Sequence, residues 1–158
     1  MSAHTIFDTA PLGSIIGYSD GQPKPPDRHR KKLSAWKERN GVGRLIRKEP
    51  RRERPTYTSP AGFTLHEGNY GSAGVIAIVV MRSYSVDSAL NFEVVERPRL
   101  GACRVLNDFE DRTELLYLAA SRQDAEVWLT EHGYRNARLE EVTADELAAD
   151  VIEGRAAA

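Results

Sequence analysis

The stretch VIAIVVMRSYSV, residues 75–86, limits the fold more than any other part of the chain. It is β-branched and nearly continuous in apolar character, the pattern of a strand covered on both faces, so we expect it at the centre of a sheet. The segments near it carry β signals at short spacing. FTLHE (63–67) alternates apolar and polar residues, and GNYGSAG (68–74) reads as a glycine-rich hairpin turn. Three further strands are expected over 90–96, 102–109 and 114–120, joined by RPRLG and EDR, which are hairpin-length connections. A meander is the economical arrangement.

Helical signals follow. Ser121 precedes a run in which Asp124 takes the third position of a cap, Ala125, Trp128, Leu129 and His132 share one face, and Gly133 ends it. A strand over 138–142 and a second capping pattern, Thr143 with Glu146, then lead into a final helix through about residue 153 with Leu147 and Val151 facing inward.

Toward the N-terminus, GSIIGY (13–18) suits a strand and SDGQPKPP an extended linker. A helix is expected over 27–40, with Pro26 in its first turn and Gly41 terminating it in the left-handed conformation. A short strand over 44–48 comes next, and 49–62 reads as a loop because Pro50, Pro55 and Pro60 break regular structure.

The sum is α+β: a single domain with a mainly antiparallel β-sheet and about three helices, its last third ordered strand-helix-strand-helix. A basic N-terminal segment, 1–60, is packed on or linked to an α+β core over 61–154, and 155–158 form a frayed tail. With 158 residues, 41% hydrophobic and 28% charged, the chain has enough material for one core.

Cys103 is the single cysteine, which excludes an intrachain disulfide and a thiolate zinc site and fits a reducing cytoplasm. The opening MSAHTIFDTAPLG lacks the basic cluster and apolar run of a secretory signal, and the longest apolar stretch, 75–81, is far short of the ~20 residues that span a bilayer. We therefore expect a cytoplasmic protein that does not enter a membrane.

Charge is spread unevenly under a formal net charge of −1. Residues 1–60 hold 13 Lys or Arg against 6 Asp or Glu, whereas residues 107–158 hold 5 against 13. The segment KPPDRHRKKLSAWKERNG (24–41) concentrates the positive end. On a helical wheel His29, Leu33 and Trp36 form a narrow apolar edge, so the helix docks by one edge, with Arg28, Lys31, Lys32 and Arg39 on one exposed flank and Arg30 and Lys37 on the other. Like charges three and four apart cost an isolated helix about 0.2–0.5 kcal/mol per pair, and phosphate relieves that repulsion. Arg44, Arg47, Lys48, Arg51, Arg52 and Arg54 extend the tract.

The leading expectation is a small non-enzymatic protein whose basic helix and loop contact the phosphates of DNA or RNA. Its site residues are Arg28, Lys31, Lys32, Arg39, Arg44, Arg47, Lys48, Arg51, Arg52 and Arg54. The alternative is a protein-interaction or inhibitor module that presents Glu140, Glu141, Asp145, Glu146 and Asp150 to a basic protein partner or to a second copy of the chain. A third reading is a small enzyme centred on His66 and Glu67, the one His-carboxylate neighbour pair, although no complete catalytic constellation accompanies it. His4, His29, His66 and His132 lie too far apart in sequence for a metal motif, and no cofactor motif is present.

Overall fold

A computed structural model describes residues 1–149. Three complete helices, α1 (Ala3–Thr9), α2 (Arg30–Arg39) and α3 (Arg122–His132), accompany ten strands. These are β1 (Ile15–Ser19), β2 (Gly41–Glu49), β3 (Arg52–Arg54), β4 (Tyr57–Ser59), β5 (Gly62–Ser72), β6 (Val75–Ser85), β7 (Asn91–Glu96), β8 (Cys103–Phe109), β9 (Arg112–Ala119) and β10 (Ala137–Glu141). A further helical stretch covers 144–149. The fold is α+β, and each of its strand pairings is antiparallel.

The sheet is forked, with β2 at the fork. Along one edge β2 pairs with β5. Along the other its first residues pair with β1, and Arg47 then pairs with Glu114 of β9. One branch therefore runs β2-β1-β7 and the other β2-β9-β8-β10, with β6 outside β5.

The position of β6 corrects the expectation of a central strand. β6 pairs with β5 alone, and most of it is exposed. A continuous apolar run shows that a strand wants cover on both faces, but not that the same chain supplies it. The central strand is β2, longer than its RLIRK signal suggested.

The meander is corrected as well. β8 and β9 form a hairpin, but β7 pairs with β1, so RPRLG carries the chain from one branch to the other. The connection bends through an Ala102 N–H bond to the Arg99 carbonyl at 3.0 Å and through Gly101 at φ 81°.

The proline-rich segment 49–62 holds the small β3-β4 hairpin. Pro50, Pro55 and Pro60 all fall just outside its strands, where no ladder N–H is required. GNYGSAG is mostly strand: β5 continues to Ser72, and the turn is Ala73-Gly74, both at positive φ (52° and 76°), as a two-residue I′-type loop requires. Gly71 permits the close ladder there, since a Cβ would stand 1.9 Å from the Val75 carbonyl oxygen.

The main core lies where α1 covers the sheet. Ala3, Ile6 and Ala10 pack with Ile16, Leu45, Phe63, Leu65 and Phe92. Burial of each large side chain stabilises the fold by about 1.5–3 kcal/mol. Ser2 caps α1 by accepting the Thr5 N–H at 3.2 Å. A second cluster, Cys103, Val105, Ala119 and Ala125, sits beneath α3, which starts and stops where its caps predict: Ser121 accepts the Asp124 N–H, and Gly133 is left-handed at φ 66°. Ile46, Leu106 and Leu115 fill the region near the fork.

The last helix opens as expected, with the Glu146 N–H directed at the Thr143 hydroxyl at 3.4 Å. The expected inward position of Val151 and the tail 155–158 lie outside the described residues.

Candidate nucleic-acid interface

Residues 20–40 form a strap that leaves β1, runs through Pro-rich extended chain, and returns through α2 into β2. The helix is shorter than its pattern suggested. Pro26 to His29 close a turn, with the His29 N–H bonded to the Pro26 carbonyl at 2.9 Å, and helical structure begins at Arg30. Arg28 therefore precedes the helix instead of lying on its flank.

Gly41 is not a left-handed stop. Asn40, at φ −140°, turns the chain directly into β2, and Gly41 serves for space, because a Cβ there would meet the Tyr18 hydroxyl at 2.7 Å.

The strap is held by polar clamps near its two ends. Buried Asn40 accepts from the Ser19 hydroxyl (2.7 Å) and the Asp20 N–H (3.3 Å), and its amide donates to the Asp20 carboxylate and the Trp36 carbonyl, both at 2.9 Å. The Trp36 indole N–H donates to the Gln22 carbonyl at 2.8 Å, and Arg82 donates to the Glu38 carbonyl at 2.6 Å. The amide of Asn40, then the Gln22 N–H, hold the Asp20 carboxyl below its ordinary range against a small opposing effect of burial, and Arg39 at 3.7 Å adds to this. Between the clamps no residue of α2 is buried; Leu33 and Trp36 are half-covered.

The basic tract divides in two. On the strap, Arg30, Lys31, Lys32 and Lys37 are exposed and have no acid partner among the described residues, while Arg28 donates only to His29, at 3.3 Å. Lys24 lies 3.5 Å from Asp27.

Beyond the strap the cations are largely taken up within the fold. Arg44 donates to the Gly13 carbonyl at 2.6 Å, and Arg47 stands between Glu49 (3.2 Å) and Glu114 (3.8 Å). Lys48 lies over the Phe7 ring at 5.8 Å, Arg51 pairs with Glu53 at 3.2 Å, and Arg52 bonds Asp111 at 2.5 Å. Arg54 rests on the Tyr57 ring at 5.8 Å.

The acidic third is also internally engaged. Arg104, only 3% exposed, donates to Glu140 at 3.1 Å, grips Glu146 through both terminal nitrogens, and reaches the Leu12 carbonyl at 2.8 Å. Burial pulls this guanidinium down, but the hydrogen bonds and charges of Glu146 and Glu140 outweigh it and hold it above its ordinary value. Glu140 also meets Arg138 at 2.7 Å, and Glu141 meets Arg122 at 3.3 Å. Asp145 is exposed, and Asp150 lies outside the described residues.

His66 and Glu67 point to different partners. His66 hydrogen-bonds Asn69 at 2.7 Å near the surface. Glu67 accepts from the Tyr18 hydroxyl and from Arg82 at 3.0 Å. Burial, followed by Glu67 and Tyr84, pushes the Tyr18 phenol far above its usual range. Both Glu67 oxygens are thus engaged in a structural network.

Two open clefts occur elsewhere. One, of about 390 Å³, lies between Gly13, Arg44, Arg97 and Leu118; the other lies between Leu12, Arg104, Thr113 and Arg138. Neither includes His66 or Glu67. Among the described residues no His, Cys, Asp and Glu gather as a metal site, and no helix is long and apolar enough to cross a membrane.

Sequence reasoning missed Asp20 and Asn40, the residues that hold the strap in place. Their only signal was position: an Asp in a linker and an Asn beside Gly41. No curated protein and no solved structure matches the chain. A family model matches residues 1–146, so nearly every element described above falls within it, and the chain belongs to the family described as uncharacterised conserved protein UCP036055.

Proposed function

We propose that the protein is a non-enzymatic binding protein that holds nucleic acid by its phosphates on the strap, with Arg28, Arg30, Lys31, Lys32 and Lys37 as the contact set. One observation carries this reading: these exposed cations surround a helix that buries nothing, and no acid of the described residues neutralises them. A fold that keeps such self-repulsion gains when phosphate replaces water, because condensed counterions are released. Arg44, Arg47, Arg51 and Arg52, engaged within the fold, extend the positive field without being primary contacts, and exposed Arg54 adds to it beside Tyr57. Phosphate contacts position a protein without reading bases, so binding is indifferent to sequence.

The acidic third has less to offer a basic partner, since Glu140, Glu141 and Glu146 already face arginines. A buried Cys103, whose thiol burial pushes up, suits the reducing cytoplasm in which we place the protein.

The test compares two triple variants by anisotropy on labelled duplex DNA, single-stranded DNA and RNA at about 50 mM salt. Arg28→Ala/Lys31→Ala/Lys32→Ala should weaken binding at least ~10-fold, whereas Arg47→Gln/Arg51→Gln/Arg52→Gln should cost much less. Equal losses, or no binding by wild type, would reject the strap as the interface.

A further inference from the structure

The distal half of the β5-β6 hairpin is an apolar ribbon without intramolecular cover. Tyr70, Val75, Ile76, Ile78, Val79 and Met81 are each 48–69% exposed. Beyond the register shift opposite Tyr70 and Gly71, alternation places Ile78 on one face and Val79 on the other, so the ribbon is apolar on both sides. From Gly68 to Met81 there is no charged residue and no proline.

The outer edge of β6 pairs with no strand of the described residues. Sheet edges that must stay single are blunted by Lys, Pro, bulges or short length. Here an edge strand of 11 residues carries no charge before Arg82.

We infer that this ribbon is the surface through which two copies of the chain associate, β6 against β6. Antiparallel pairing about a two-fold axis sets the same strand on both sides, so uncharged edge meets uncharged edge and both rows of backbone groups are satisfied. Six exposed side chains at roughly 100 Å² each give ~600 Å² per chain and ~1,200 Å² for two as an upper bound, which reaches the lower end of a specific interface; pairing along β6 covers the backbone edge and the side chains beside it. A basic or acidic partner would find no counter-charge on the ribbon.

Sedimentation velocity on the full chain at about 1–100 μM tests the inference, since interfaces of modest area begin at micromolar affinity. Wild type should sediment at twice 17.6 kDa, and Ile78→Lys/Val79→Lys, one lysine on each face, should weaken the dimer at least ~100-fold while keeping the wild-type far-UV spectrum. Should the double variant lose that spectrum, Val79→Lys alone, at a half-exposed side chain, replaces it.

A wild type that stays monomeric throughout overturns the inference, as does a folded lysine variant that dimerises like wild type. Monomeric protein that floats with phosphatidylcholine vesicles overturns it in favour of a lipid surface. Strap variants should leave the sedimentation of wild type unchanged, which separates this interface from nucleic-acid binding.

Discussion

Replacing Asn40 with Ala tests how the strap is held. The side chain makes four hydrogen bonds, three to neutral groups and one to the Asp20 carboxylate. At about 1 kcal/mol for each neutral bond and about 1.5–3 for the charged one, their sum is ~4–6 kcal/mol. Ser19 and Asp20 lie near solvent and regain water partners when the amide is removed, which reduces the expected loss to ~2–4 kcal/mol.

The rest of the strap cannot absorb such a loss, because α2 has ten residues, buries none of them, and is below the length at which isolated helices persist in water. Native-state hydrogen exchange followed by NMR reads the effect. In Asn40→Ala the amides of α2 should exchange roughly 30- to 1,000-fold faster, approaching free-peptide rates, while β2 and β5 remain protected. Wild-type protection across α2 in the variant would show that the clamp does not hold the helix, and the account of the strap would fail.

Arg104→Ala should cost about 2–4 kcal/mol in urea unfolding, because it removes a buried guanidinium and its hydrogen bonds, leaving Glu146 without that cation and Glu140 with Arg138 alone; a loss below ~1 kcal/mol would count against that pairing. Asp20 is held below the ordinary aspartate value of 3.8, so its contribution is present above that value and lost as pH falls through the lower, folded value. Trp36 emission in a Trp128→Phe background should therefore change below pH 3.8, and a midpoint at or above it would refute the Asn40-Asp20 bond. In the β5-β6 turn, Ala73→Gly should stabilise by about 1 kcal/mol by relieving a left-handed alanine, whereas Gly71→Ala should destabilise because its Cβ meets the Val75 backbone at 1.9 Å. Chemical unfolding distinguishes the two signs.

The bounds of α3 and the places of most strands are legible in the sequence, whereas the ends of α2, the length of β5 and the pairings between distant segments are not. α3 was legible because Ser121 and Gly133 mark its ends by their own chemistry. α1 is not legible although Ala3, Ile6 and Ala10 have helical spacing, since seven residues give too short a period to stand out. β7 pairs with β1, distant in sequence, and β6 lies at an edge because no strand of the described residues meets its outer side, and no residue within either strand encodes this.

The site divides in the same way. Lys31, Lys32 and their neighbours were visible as a charge run. Which cations remain free depends on acids brought close by folding, as when Asp111 meets Arg52 and Glu114 meets Arg47 across the sheet.

The measurement nearest the central claim is the salt dependence of wild-type affinity for duplex and single-stranded nucleic acid. If the strap cations neutralise about four phosphates, affinity should fall by roughly two orders of magnitude between about 50 and 200 mM salt, with a log-log slope near −3 to −4. A slope near zero, or no binding at about 50 mM, would contradict a phosphate-holding strap.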